Sequence, residues 1–247
     1  MLVVFGALRS SPGVTTSILA IASCLEGAAV VEADWDGGVL ATRLGIAREP
    51  GLTSLAAAAR TSPDVDLADH GHQIAGGGTL VVPGPASADS AIGVWTSVGR
   101  RLTEVVVDSS ARRPVLVDAG RLSPLSPVRG LVERADRLVV VARPEVEELH
   151  ALNTRIGDLR TATRDRISVL LVGDRPYRPA DVASQLGVDV VGVLADDRRA
   201  AEAISGHGRA VSSRTLRRSA LARSARAVAE QILEHAGVPA EAEVAPA

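Results

Sequence analysis

Arg9-Ser10-Ser11-Pro12-Gly13-Val14-Thr15-Thr16 follows an apolar run, Leu2-Val3-Val4-Phe5, and opens an alanine- and leucine-rich stretch predicted to be helical from about Thr15 to Leu25. A strand, a tight turn and a helix in that order aim backbone N–H groups and the positive end of a helix at one point, where an anion can sit. The familiar phosphate-binding loop of this kind reads G-x-x-x-x-G-K-[ST], its lysine reaching the β/γ-phosphates and its hydroxyl reaching Mg²⁺. Gly13 and Thr15 match the last glycine and the hydroxyl, but Val14 stands where the lysine would be. No lysine elsewhere can substitute, because all 27 basic residues are arginine. The stretch therefore separates binding from catalysis. The loop amides and the Thr15 hydroxyl can hold phosphate and metal, whereas Val14 cannot neutralise the charge that develops in phosphoryl transfer. These residues alone also fit a plain strand-to-helix turn with a Ser/Thr cap.

Outward from this loop, short β-type runs alternate with helical stretches. Leu2–Phe5, Ala29–Glu32, Thr79–Val82, Pro114–Asp118, Arg137–Ala142, Ile167–Val172 and Val188–Leu194 read as strands. Most are continuously apolar, as strands covered on both faces of a parallel sheet should be. Helical candidates lie at 15–25, 37–45, 52–60, 87–105, 126–134, 145–162, 179–186, 197–205 and 215–235. The alternation predicts right-handed βαβ crossovers in an α/β fold with three layers, a doubly wound and mostly parallel sheet between helices. Ligands of such folds bind beyond the carboxyl ends of the strands.

Those ends carry acids. The second strand runs into Glu32-Ala33-Asp34-Trp35-Asp36-Gly37-Gly38, and the strand at 114–118 into Val117-Asp118-Ala119-Gly120-Arg121. An Asp closing an apolar strand beside a phosphate loop is a common way to hold Mg²⁺, a small hard cation that takes oxygen ligands and keeps its waters. Asp118 fits that role together with Thr15, and the Ala-Gly after it can respond to a γ-phosphate. A polar terminus to a buried strand is the plainer alternative.

Composition bounds the rest. At 247 residues, with 46% apolar residues but only 2% aromatic, the chain fits one large α/β domain or two small ones whose core is Ala, Val and Leu. A net charge of −2 without a basic block argues against a dedicated nucleic-acid surface. The single cysteine, Cys24, cannot form an internal disulfide and is expected to pack in its helix. No apolar run reaches the roughly 18 residues of a membrane span, and the start reads as a strand rather than a signal peptide. A reducing, cytoplasmic setting is the expectation. The Asp69-His70-Gly71-His72 stretch is expected to be a polar surface loop, since a zinc site would need further ligands nearby.

Taken together, these residues resemble the MinD/ParA family of deviant P-loop ATPases, which open with K-G-G-x-G-K-T-T. Arg9 falls at the signature lysine, Ser10-Ser11 at the two glycines, Pro12 at the variable position, Gly13 at the last glycine, Val14 at the second lysine and Thr15-Thr16 at the threonines. The family's D-x-D falls on Glu32 and Asp34, with Asp36-Gly37-Gly38 after it, and its Walker B strand and switch on Val115 to Gly120. Ala135 to Glu145 resembles its AD…VVVxxPE segment, and Val193 to Asp197 followed by Gly206-His207-Gly208 its IPxD…G region. The Ser-Pro-Gly-Val-Thr-Thr variant looks most like actinobacterial MinD-like proteins of the TadZ/CpaE type, positioning factors of pilus and secretion machines. Where the family often has an adenine-contacting Asn, this chain reads Val172-Gly173-Asp174-Arg175.

The resemblance implies an ATP- or ADP-binding switch with Mg²⁺, a homodimer, a protein partner in a secretion, pilus or partitioning machine, and ATP hydrolysis that is weak or absent. It implies phosphate binding by residues 9–16, Mg²⁺ at Thr15 and Asp118, Asp34 near the attacking water, and a switch formed by Asp36, Gly37, Gly120 and Arg121. Arg9 would reach the partner protomer's nucleotide, a task suited to a planar, bidentate guanidinium; a solvated loop arginine is the alternative. Two other readings stay open: a pseudo-ATPase scaffold that binds no nucleotide, and an ATP-using synthetase of the dethiobiotin-synthetase or cobyrinate-amidating type. Residues 1–236 are expected to form one domain and 237–247 a disordered tail. The last helix carries Leu216, Ala220, Val228, Ile232 and Leu233 broadly on one side, which predicts docking onto the sheet in preference to peripheral membrane contact.

Overall fold

The computed structural model describes residues 1–9, 12–74, 78–206, 216 and 218–235. Its strands are β1 (Leu2–Ala7), β2 (Ala29–Glu32), β3 (His72–Ile74), β4 (Thr79–Val82), β5 (Val115–Arg121), β6 (Arg137–Ala142), β7 (Ile167–Val172) and β8 (Val190–Leu194). They form one sheet in the order β3-β4-β2-β5-β1-β6-β7-β8, parallel throughout except where β3 meets β4. The helices are α1 (Val14–Ala22), α2 (Leu40–Leu44), α3 (Leu52–Thr61), α4 (Ala88–Ser110), α5 (Arg129–Arg134), α6 (Val146–Thr163), α7 (Pro179–Leu186), α8 (Arg198–Ile204) and α9 (Ala220–His235).

Alternation along each strand divides the core in two. In β1, Leu2 and Val4 join a cluster covered by α3 to α7, while Val3 and Phe5 join a cluster covered by α1, α2, α8 and α9. Every residue of β1, β2 and β4 is buried, the two-sided burial that their continuous apolar runs predict. With so few aromatics, Val, Leu, Ile and Ala fill both layers, and Phe5 and Trp95 are the large exceptions. The last helix docks as its pattern predicts: Leu221, Ala225, Val228, Ala229 and Ile232 of α9 are buried against β8 and α1. No described helix is long and apolar enough to cross a membrane.

Three local differences from the sequence reading have physical causes. The predicted helix at 37–45 begins only at Leu40, because Gly37 has a φ of +112° and cannot be helical. The strand at 114–118 runs on to Arg121, so Asp118 lies within β5 rather than at its tip. Residues 69–72, expected to be a loop, instead close a 3₁₀ turn (Leu67–His70) and enter β3, which pairs antiparallel with β4 through His72 and Val81. Residues 215 and 217 of the predicted 215–235 helix, the Gly206-His207-Gly208 signal beyond Gly206, and the tail 237–247 lie outside the described residues, and the helix itself begins at Ala220.

A buried acid fixes the geometry around the second strand. Glu32 is 1% exposed, yet its carboxylate is fully used. One oxygen accepts the N–H groups of Val39 and Leu40, the latter at 2.8 Å, and the other accepts the Gly84 N–H at 2.8 Å. It thus caps α2 and ties the β2 and β4 loops together; a Cβ on Gly38 would collide with it. Arg48 completes the knot by donating to the Gly84 carbonyl at 2.9 Å. Glu32→Ala would strand three buried donors, each costing roughly 1–3 kcal/mol. A loss of at least about 3 kcal/mol in urea denaturation is expected, and an unchanged midpoint would show that the knot is dispensable.

Candidate functional site

The loop after β1 and the carboxyl ends of β2, β5, β6 and β8 enclose a cavity of about 710 Å³. Gly13, Val14, Thr15 and Thr16 form its floor at the start of α1; Asp34, Asp36, Asp118, Gly120 and Arg121 stand on one side, and Arg143, Asp196 and Ser205 on the other. Gly13 has a φ of +103°, a conformation that only glycine adopts without strain, and open space surrounds the position of its missing Cβ. It turns the chain into α1 without a side-chain cap. The first-turn N–H groups of a helix have no intrahelical acceptor, so here they face a cavity floor suited to an anion.

Across that floor, the Thr15 hydroxyl donates to Asp118 Oδ2 at 2.6 Å. The other Asp118 oxygen accepts the Gly120 N–H at 3.0 Å. Asp118 is 2% exposed and pairs in register with Glu32 on β2. Burial pushes its carboxyl up to about 7, the Thr15 and Gly120 bonds oppose this, and the charges of Glu32 and Asp34 add to it. Asp34 is also raised, first by burial, and its carboxylate lies against Gly120, where a Cβ would overlap it. Gly120 has a φ of +58°, so both its conformation and the closeness of Asp34 require glycine. Asp34 Oδ1 accepts the Asp36 N–H at 2.9 Å, and the Trp35 indole donates to the Arg121 carbonyl at 2.9 Å, joining the β2 and β5 loops.

Most of the residues singled out from sequence converge here. Gly13, Val14, Thr15, Thr16, Asp34, Asp36, Asp118, Gly120 and Arg121 all line the cavity. Gly37 supports it from behind, packed on the Ala86 carbonyl. Pro12 is buried and lines a smaller adjoining cavity with Gly13 and Thr16. Ser10 and Ser11 lie outside the described residues. Arg9 is exposed and is not among the residues that line the cavity. The side chain of Val14 is buried in the core with α1, so this position offers no cation to the cavity.

The sequence reading missed Arg143, which follows β6, Asp196, which follows β8, and Ser205, whose hydroxyl meets that of Thr16 at 2.9 Å. The first two were findable, because the rule that ligands gather at the carboxyl ends of strands applies to β6 and β8 as much as to β5. Ser205 sits at the end of α8, where no periodic signal marks it.

Thr15 and Asp118 offer a hydroxyl and a carboxylate, the oxygen donors Mg²⁺ uses when phosphate oxygens and water complete its shell. A cation beside Asp118 would also restore its ionised form. Among the described residues no group of three His, Cys, Asp or Glu could hold a metal alone. The residues thus fit a metal that arrives with a phosphate ligand.

No protein-family model matches the chain, and no curated protein matches it in sequence. Solved structures match in fold. MinD from Pyrococcus horikoshii, complexed with Mg-ADP, aligns with a TM-score of 0.74 at 17% identity over 98% of this chain and 99% of that one. A ParA family ATPase from Chlorobium tepidum gives 0.72 at 17% identity, covering 92% and 98%. A Cyanothece McdA variant in complex with ATP gives 0.69 at 16% identity, covering 98% of each. The chain has a MinD/ParA-like P-loop fold.

The Asp118 carboxyl sets a pH dependence. Its value in the fold, about 7, lies above the ordinary 3.8, so the fold favours the neutral form. Its contribution to stability is therefore greatest below pH 4 and is lost as pH rises towards 7. Asp118→Asn cannot ionise. Relative to the unaltered protein, the variant should gain on the order of a few kcal/mol in urea denaturation between pH 4 and pH 8. A difference that does not change with pH would refute the raised value.

Proposed function

We propose that this chain is a MinD/ParA-like nucleotide switch that binds ATP or ADP with Mg²⁺ and hydrolyses ATP weakly or not at all. One observation carries the reading: the Thr15 hydroxyl and the Asp118 carboxylate meet at 2.6 Å on the floor of the cavity, beside the Gly13 turn. In this reading the 9–16 loop holds phosphate, chiefly through the N–H groups of residues 13–16 at the start of α1, while Thr15 and Asp118 hold Mg²⁺. The metal supplies neutralising charge when bound. Asp34 accepts a hydrogen bond from water at the phosphate, and Asp36, Gly37, Gly120 and Arg121 form the responsive wall. The Asp34–Gly120 contact couples the β2 loop to the β5 loop, so a ligand that moves one moves the other.

Weak hydrolysis follows from Val14, which puts no charge where phosphoryl transfer develops it. The same residue favours a rival reading, a scaffold without nucleotide, because its side chain belongs to the core. One structural relative is named a septum site-determining protein, MinD, and a MinD cell division protein from Aquifex aeolicus was solved in complex with MinC and matches at a TM-score of 0.71. By analogy we assign this chain a cytoplasmic positioning role with a protein partner, in a TadZ/CpaE-like pilus or secretion machine or a partitioning system. We further assign it a nucleotide-dependent homodimer in which Arg9 reaches the opposite nucleotide; its exposure beside the loop is compatible with that reach.

Calorimetric titration with Mg-ATP and Mg-ADP tests the core of the proposal. Saturable binding is expected, weakened at least tenfold in Asp118→Ala, whereas no heat at millimolar nucleotide would leave the scaffold reading. Val14→Lys should tighten binding by about tenfold or more, as expected for a charge-assisted contact to phosphate. Arg9→Ala should abolish dimer formation with ATP in sedimentation analysis while leaving binding to the monomer intact; an unchanged dimer would sink the role of Arg9.

A further inference from the structure

Among the described residues, four arginines line the main cavity: Arg43, Arg121, Arg143 and Arg198. Arg198 projects into solvent and pairs with Glu202 at 2.9 Å. Arg121 is exposed, and its charge acts on Asp34, on the acidic side of the cavity. Arg43 comes from α2 and lines only the main cavity. Arg143 differs in position. It follows the last residue of β6, the strand beside β1, so it stands on the opposite flank of the loop from Asp118. It lines both the main cavity and the smaller one that Pro12, Gly13 and Thr16 share with it. Its backbone N–H is held by Glu148, which fixes the root of the side chain. Its guanidinium grips Asp196 Oδ2 at 2.9 Å, across the mouth between the ends of β6 and β8.

We infer that Arg143 is the cation that engages the phosphates of the bound nucleotide within the same protomer, in place of the absent loop lysine, and that Asp196 is the internal anion it exchanges for them. The inference rests on the nucleotide-binding reading above. A guanidinium binds carboxylate and phosphate oxygens through the same fork of donors, so one partner can replace the other without new geometry. The exchange is easy, because both side chains are partly exposed, at 36% and 54%, and an ion pair of that kind is weak. A nucleotide phosphate carries more charge than Asp196 and meets the α1 amides as well. Asp196 thereby acts as a placeholder, keeping the arginine aligned while no phosphate is present and competing mildly when it is.

The two residues therefore predict opposite effects on affinity, read by calorimetric titration of the full chain with Mg-ATP. Arg143→Ala should weaken binding about tenfold or more, the usual scale of a charge-assisted contact, and should flatten its salt dependence; Arg143→Lys should retain most of it. Asp196→Ala should tighten binding by up to about fivefold, the scale of a partly exposed ion pair. Val14→Lys introduced into Arg143→Ala should recover the loss, because the charge returns to the same phosphates. Thermal melting of each variant establishes that it is folded. Unchanged affinity in a folded Arg143→Ala variant, with the unaltered protein binding, overturns this inference alone. Failure of the unaltered protein to bind overturns the nucleotide reading and this inference with it. Weaker binding in Asp196→Ala would show that Asp196 supports the site rather than competes in it, and would overturn the exchange.

Discussion

Two carboxylates buried side by side, Glu32 on β2 and Asp118 on β5, are the constraint around which the loop end of the sheet is arranged. Burying an acid is costly unless it is hydrogen-bonded. Each is bonded differently. Glu32 is saturated by three backbone N–H groups and acts as a structural acceptor for the β2 and β4 loops. Asp118 accepts one hydroxyl and one N–H and opens onto the cavity, retaining capacity for a cation. Neighbouring acids of similar burial thus hold different roles, and the difference lies in how many donors the surrounding loops supply. Because Glu32 organises the loop that carries Asp34, and Asp34 leans on Gly120 of β5, the structural acid and the cavity-facing acid are mechanically joined.

The charge arrangement is asymmetric about the phosphate-type loop. Asp34, Asp36 and Asp118 stand with Arg121 on the β2/β5 side, and the Arg143–Asp196 pair stands on the other. In a loop of the ordinary kind the lysine lies between these groups and neutralises charge from below. In the proposed function, positive charge moved from the floor to the wall would favour retention of an anion over catalysis upon it. An arginine on a strand end can hold an anion, yet it does not follow the charge that develops between phosphorus and a leaving oxygen.

Much of this was legible in the chain. Continuous apolar runs such as Val30-Val31 and Val139-Val140-Val141 can hardly be anything but strands covered on both faces, and β2, β4, β6 and β7 match their expected limits. The strand–turn–helix reading of residues 2–25 put Gly13 and Thr15 at the start of α1, and an acid after Val115-Leu116-Val117 was enough to find Asp118. What sequence could not show was pairing set by space. β3 is three residues of mixed polarity, made a strand only by its register with β4. Glu32 could be placed at a strand end, but its bond to the Gly84 N–H depends on where that residue arrives from another strand. The contact between Thr16 and Ser205 joins residues 189 apart in the chain, and no local pattern foretells it.

The two borders of the sheet have a bearing on how copies of this protein can meet. On one side β3 is only three residues long, His72 to Ile74; on the other, β8 is irregular, its register with β7 shifting between Val169 and Leu170 and Gly192 pressed against Val228 of α9. A short border strand and a bulged one both frustrate the addition of another strand, the route by which sheets fuse into longer sheets or fibrils. Self-association is thereby steered away from lateral growth and towards surfaces formed by loops and helices.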